Sequence, residues 1–267
     1  MSAPGRFSVR GWRMCSSPIR LPRRRGPGWF CLMLLALLGA SPLTAQVDPA
    51  HRLFDEVVKE HVAGGLVDYP GVAKDERFAR YLRQLSATDP WRIPDSSDRL
   101  AFWINAYNAF TIRIVLDHWP LLTLKDVQVE GRDAWEHRWI RIKDRTLSLN
   151  EIEHGIVRKE WKDPRVHFAL VCASLGCPPL RSEAYVGTRV REQMADNSRI
   201  FFADINKNRF VRARNVLYMS ELMKWYADDF VPAYGSAEAY ALKEIGFPAA
   251  RPDSVGTLLF NWRINAR

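Results

Sequence analysis

Cysteine is nearly absent from the chain. Of four in 267 residues, Cys15 and Cys31 fall in the first 45, and only Cys172 and Cys177 lie beyond them. That scarcity excludes a disulfide-rich scaffold and a four-cysteine zinc knuckle. Long apolar runs are missing as well: the stretch 29–40 is about a dozen residues, short of the ~20 that a membrane helix needs. No internal repeat, low-complexity tract or long linker occurs, which argues against solenoids and repeat arrays.

Acidic residues are lacking altogether from positions 1–45, which instead carry seven arginines, then the apolar run, then small residues at Ala40 and Ala45. This pattern reads as a secretory signal peptide over 1–45, with cleavage expected after Ala45. Cys31 lies inside the apolar run without the small residues of a lipid-attachment site, so no lipoprotein is expected. Residues 46–267 then form a single exported domain, periplasmic or secreted, with no stable membrane span after cleavage. Setting those seven arginines aside leaves 32 basic against 30 acidic residues, a formal charge of +2 in place of +9. A nucleic-acid partner is therefore not expected, because that role needs a basic stripe on the folded domain.

Helical spacing predicts amphipathic helices over 48–62, with Leu53, Val57 and Val58 inward and Gly64-Gly65 as its end, and over 75–85, with Phe78, Tyr81, Leu82 and Leu85 inward. Between them Val67-Asp68-Tyr69-Pro70 reads as extended. The stretch 100–116 is apolar on nearly every side, so it is placed at the centre of the protein. Asn105 and Asn108 share a face of that helix and must find hydrogen-bond partners; tying down neighbouring backbone is the plain role for them. Alternation from Trp139 to Leu149 predicts a hairpin, and 209–219 a second around Arg214-Asn215. Ser148 and Glu151 form a capping-box signature that starts a helix carrying Glu153, His154 and Arg158. Further helices are expected over 186–205, with Val190, Met194, Ile200 and Phe201 inward, over 221–226 and over 236–245. The fold class expected is α+β, mostly helical: one compact domain with a central buried helix and short antiparallel strand pairs.

The two remaining cysteines sit beside a histidine in 163–180, where Asp163-Pro164 suggests a helix start, although a buried strand fits the same run. On a helix His167 and Cys172 lie about 140° apart, and on a strand they point to opposite faces, so His167 is a poor base for Cys172 from within one element. Cys177, between Gly176 and Pro178-Pro179, is expected on a loop as the more accessible sulfur. Three readings stay open. One is a local disulfide, worth about 2 kcal/mol by loop entropy. Another is a catalytic thiol, Cys177 ahead of Cys172, with His154 or His167 as base and Glu153, Asn105 or Asn108 orienting the base or holding an oxyanion. Last comes zinc, for which Cys-x4-Cys is an unfamiliar spacing. Glu151 and His154 have the Glu-x-x-His spacing of metal-carboxylate bundles, but a single copy does not make such a site. No metal and no cofactor are expected.

The runs Phe102-Trp103-Ile104-Asn105-Ala106-Tyr107-Asn108-Ala109, Ile152-Glu153-His154-Gly155-Ile156-Val157-Arg158 and the cysteine stretch through Cys177-Pro178-Pro179-Leu180, with Ser220 to Phe230 and Phe260 to Asn265, resemble the family known as domain of unknown function 547. The resemblance implies one domain, found in exported bacterial proteins and in plant proteins, without an agreed activity. Two functions follow as expectations. One is a thiol-dependent hydrolase or acyltransferase acting on a peptide, amide or acyl bond in the cell envelope. The other is a non-catalytic envelope domain with a Cys172–Cys177 bridge and a groove for a peptide, glycan or small molecule.

Overall fold

The computed structural model describes residues 46–267; the signal-peptide reading and Cys31 fall outside the described residues. Helix α1 (Arg52–His61) buries Phe54, Val57, Val58 and His61, with Phe54 taking the inward place expected of Leu53. It runs into the two-residue strands β1 (Val62–Ala63) and β2 (Leu66–Val67). Gly64 and Gly65 link them at positive φ, the geometry a tight hairpin turn requires, so these glycines turn a hairpin instead of capping a helix. Tyr69-Pro70 opens a short helix α2 (Tyr69–Lys74), not an extended piece, because Asp68 accepts from the Gly71 N–H and proline suits the first turn. Helix α3 (Glu76–Ala87) buries Phe78, Tyr81, Leu82 and Leu85, as its spacing predicts.

The organising element is α4 (Ser96–Asp117), in which 15 of 22 side chains are buried. Asp95 caps it, accepting from the N–H groups of Ser97 and Asp98. Around it pack α2, α3, the segment Glu151–Val157 and the helix Val190–Ala203. Small antiparallel pairs come next: β3 (Gln128–Val129) with β4 (Arg132–Asp133), then β5 (Ile140–Ile142) with β6 (Arg145–Leu147), the hairpin that the alternation predicts. A π-helical segment (Glu151–Val157) leads into α5 (Arg158–Trp161), and a 3₁₀ turn (Pro164–Phe168) begins at the Asp163 cap.

Helix α6 (Val190–Ala203) buries Val190, Met194, Phe201 and Phe202, while Ile200 points outward against expectation. Strand β7 (Arg209–Val211) pairs antiparallel with β8 (Val216–Ser220). Helices α7 (Glu221–Trp225), α8 (Ala227–Tyr234) and α9 (Ala237–Ile245) follow, the first capped by Ser220 and the last by Ser236. Strand β9 (Ser254–Leu258) then returns beside β8 in parallel, a pairing outside the antiparallel pairs expected. The fold is thus a mostly helical α+β domain, its core one hydrophobic cluster around α4. No helix among the described residues is long and apolar enough to cross a membrane.

Candidate active site

The capping box forms reciprocally: the Glu151 N–H donates to Ser148 Oγ at 3.1 Å, and the Ser148 N–H donates to Glu151 Oε2 at 2.9 Å. Glu151 also accepts from Arg138, so its carboxylate faces the hairpin and forms no metal-ligating cluster with His154 among the described residues. The segment it starts is wound wide, closing with an i to i+5 bond from the Arg158 N–H to the Glu153 carbonyl. Such π turns are frequent at functional sites. Here Glu153 is buried and His154, the next residue, is half-exposed. Ser148→Ala should lower stability by about 1 kcal/mol in urea melts, the ordinary loss for a cap.

His167 enters from the 3₁₀ turn with its ring fully buried. Its Nε2 hydrogen-bonds Asp229 Oδ2 at 2.7 Å, reaching across to α8. Arg158 grips the same carboxylate through Nε at 2.8 Å and Nη2 at 2.9 Å, and its Nη1 donates to His154 Nδ1 at 3.0 Å. The hydrogen bond from His167, joined by those from Arg158, holds Asp229 well below the usual carboxylate range against the opposing effect of burial. The Tyr226 ring stacks on His167 at 3.7 Å between centroids, and its hydroxyl donates to Glu153 Oε1 at 2.7 Å. Burial first, and the Glu153 charge second, push the Tyr226 phenol up, which keeps it a donor.

These contacts fix the tautomers. Because Arg158 occupies Nδ1 of His154, the neutral ring carries its proton on Nε2. Burial lowers the His154 pKa, with Arg158 and His167 adding to the effect and Glu153 opposing it. His154 is therefore a neutral donor near pH 7. His167 carries its proton on the same nitrogen: its Nε2–H donates to Asp229, and Nδ1 is buried without a hydrogen-bond partner among the described residues. Glu153 Oε1 stands 3.8 Å from that nitrogen, outside hydrogen-bond range.

Cys172 and Cys177 are joined in a disulfide. It closes a loop strapped to the C-terminal segment, with the Leu175 N–H donating to the Arg263 carbonyl, Gly176 N–H to Asn261, and Asn265 N–H to Ala173. At Gly176 a Cβ would come within 2.7 Å of the Asn261 nitrogen, so only glycine allows this approach. Cys177 is buried and Cys172 half-buried, the reverse of the exposure expected from the proline-flanked loop. The reason is that the residue before Cys177, Gly176, packs directly against Phe260 and Asn261 of the C-terminal segment. His154 and His167 take Arg158 and Asp229 as partners, not sulfur.

Asn105 and Asn108 belong to the scaffold. The Asn105 amide pairs with both the N–H and the carbonyl of Tyr185. The Asn108 amide donates to the Ala169 carbonyl at 2.9 Å and accepts from the Val171 N–H at 2.9 Å. Neither amide lines the cleft that holds the histidines, so neither is placed to hold an oxyanion or orient an imidazole there; Asn108 fastens the backbone that leads to Cys172.

One cleft of about 210 Å³ collects Glu153, His154, His167 and both cysteines. Its opposite wall is aromatic, built from Trp135, Trp225, Phe260 and Trp262. The rings of Trp225 and Trp262 stack at 5.5 Å, and that of Phe260 packs 4.6 Å from Trp262. Asp229, Tyr226, Trp225, Phe260 and Trp262 carry no role in the sequence reading, which expects an aromatic patch around Trp135 and Trp139 for a binding domain, although all five lie within runs on which the family resemblance rests. Residue type alone could not connect them, since Asp229 is 62 positions from its partner His167.

Residues 93–202 match the family described as "Protein of unknown function, DUF547". The match takes in Glu153, His154, Arg158, His167 and the disulfide, and ends before Tyr226, Asp229 and the aromatic wall. No curated protein and no solved structure matches.

Proposed function

For a chain that is a DUF547 member over residues 93–202, a family without an assigned function, we propose an exported envelope hydrolase or acyltransferase acting at an ester, amide or peptide carbonyl. The observation that carries this reading is the His167 ring, anchored at Nε2 by Asp229 and left with a buried, unpartnered Nδ1 beside a cleft. A base oriented by a carboxylate, with its other nitrogen free, is the arrangement that proton abstraction requires. In this scheme Nδ1 takes the proton of an attacking hydroxyl or water. The imidazolium formed is stabilised by Asp229 on one side and by Glu153, 3.8 Å from Nδ1, on the other. His154 Nε2–H donates to the developing carbonyl oxyanion, a role suited to a neutral imidazole. The indole wall holds an apolar face of the substrate.

The nucleophile differs from the thiol considered first, because Cys177 in a disulfide has no thiolate to attack with. The same bridge favours a second reading, a non-catalytic envelope domain whose cleft binds a peptide, glycan or small molecule.

p-Nitrophenyl acyl esters and aminoacyl p-nitroanilides separate the two. Turnover by the wild type that drops about 100-fold or more in His167→Gln and Glu153→Gln supports catalysis, that range being usual for a lost acid–base group. Thermal melts on the same samples check that both variants are folded. No turnover of either probe class, or turnover that survives His167→Gln, leaves binding as the function.

A further inference from the structure

The loop that the bridge closes is also held by other ties. Three backbone hydrogen bonds tie 173–176 to the C-terminal segment, at 2.8 Å for Leu175 and Gly176 and 3.1 Å for Asn265, and the Cys177 N–H donates to the Ser174 carbonyl at 3.0 Å. Lys207 Nζ adds a bond to the Cys177 carbonyl at 2.7 Å. A structural staple would be expected where such ties are missing. The bridge also lines the cleft with two sulfurs in unlike settings, Cys172 half-buried and Cys177 2% exposed. Within the ring Ala173 is held at φ +59°, a left-handed conformation that strains a non-glycine residue.

From this asymmetry we infer that Cys172–Cys177 is a thiol–disulfide exchange site, with Cys172 as the sulfur attacked and small thiols entering through the cleft as co-reactants. The first step forms a bond between the external sulfur and Cys172 Sγ and breaks the bridge, the electron pair leaving on Cys177 as a thiolate. The Cys172 N–H already points at that sulfur, 3.1 Å from Cys177 Sγ, so the leaving group has a donor in place. A hydrogen-bond donor already aimed at the departing sulfur favours its leaving as the thiolate. A second thiolate then attacks the external sulfur of the mixed disulfide, releasing Cys172 as a thiolate. The external thiols emerge as their own disulfide, and the protein gains the two electrons as a dithiol. This activity concerns the sulfurs and stands independently of the proton chemistry proposed for His167.

The probes, at neutral pH on the folded protein, are glutathione disulfide for the single-cysteine variants, where exchange releases one glutathione thiolate for each one bound, and reduced glutathione for the wild type, each followed by alkylation and peptide mass mapping. Cys177→Ser should accumulate one glutathione on Cys172, and Cys172→Ser should load Cys177 at least ten times more slowly. In the wild type the bridge should open while the melting temperature shifts by no more than about 3 °C, a change of roughly 1 kcal/mol for a domain of this size. A bridge that stays closed in the folded protein under glutathione that opens it in urea overturns the inference. So does preferential loading of Cys177, or opening accompanied by unfolding.

Discussion

Asn108→Ala should unfold at a urea concentration that corresponds to a loss of about 4 kcal/mol relative to the wild type. The side chain is buried in the middle of α4 and supplies two hydrogen bonds, one to the Ala169 carbonyl and one from the Val171 N–H. Its removal leaves a backbone donor and a backbone acceptor buried without partners, at about 1–3 kcal/mol each. No neighbouring side chain on that helix face can replace it, since the Asn105 amide is already closed on Tyr185. Asn108→Asp is a sharper version of the same test. The carboxylate keeps the bond from Val171 but sets a buried negative oxygen against the Ala169 carbonyl, so it should be no more stable than the alanine variant. A loss below about 1 kcal/mol in both would mean that 169–171 is held by other contacts. Because this backbone leads directly into Cys172, the variant should also loosen the cleft wall, seen as faster hydrogen exchange at Val171.

What could be read from the chain alone follows from how local each signal is. The central helix is legible because an apolar run on all sides has one physical solution, burial in the core, and its two asparagines took the backbone-tying role that burial demands. Ser148 and Glu151 announce their helix start since both partners of the box lie within four residues. The hairpin around Lys143-Asp144 is likewise a contact between neighbours in sequence. Strand β9 is not legible: Ser254–Leu258 is mostly exposed, lacks alternation, and pairs with a strand more than 30 residues earlier. The π winding of Glu151–Val157 leaves no mark in residue type, so the facing of Glu153 and His154 could not be derived from helical spacing. Asp229 and Tyr226 reach His167 only through the packing of α8 against the 3₁₀ turn. The exposures of Cys172 and Cys177 are reversed for the same reason, because Phe260 and Asn261 close over the loop from the far end of the chain. The family match names the neighbourhood of the site but stops short of half its walls.

His51 should make the protein acid-sensitive between neutral pH and pH 4. Its ring is 3% exposed, lies edge-on to Tyr81 and hydrogen-bonds the Tyr81 hydroxyl through Nδ1 at 2.7 Å. Burial lowers its pKa from 6.5 to about 4, and the Asp48 carboxylate opposes that shift only in part. The unfolded chain therefore takes up a proton as pH falls through 6.5, while the folded chain resists until about pH 4. Stability contributed by the neutral ring is complete above pH 6.5 and is lost as pH falls through that window. The full difference is about 3 kcal/mol at 1.36 kcal/mol per unit, of which about 2.5 is lost by pH 4.5. His51→Asn isolates the effect. The residue sits at φ +49°, a conformation that asparagine tolerates better than most side chains, and the amide can still meet the Tyr81 hydroxyl. The variant will be less stable at every pH because it leaves space beside Phe102. Its slope is the readout: urea melts at pH 7.5 and pH 4.5 should show the wild type losing about 2.5 kcal/mol more than His51→Asn. Carboxylate titration is common to both proteins and cancels in the difference. Parallel slopes would mean that the folded protein accommodates a charged His51, and that α1 opens enough to hydrate it without unfolding.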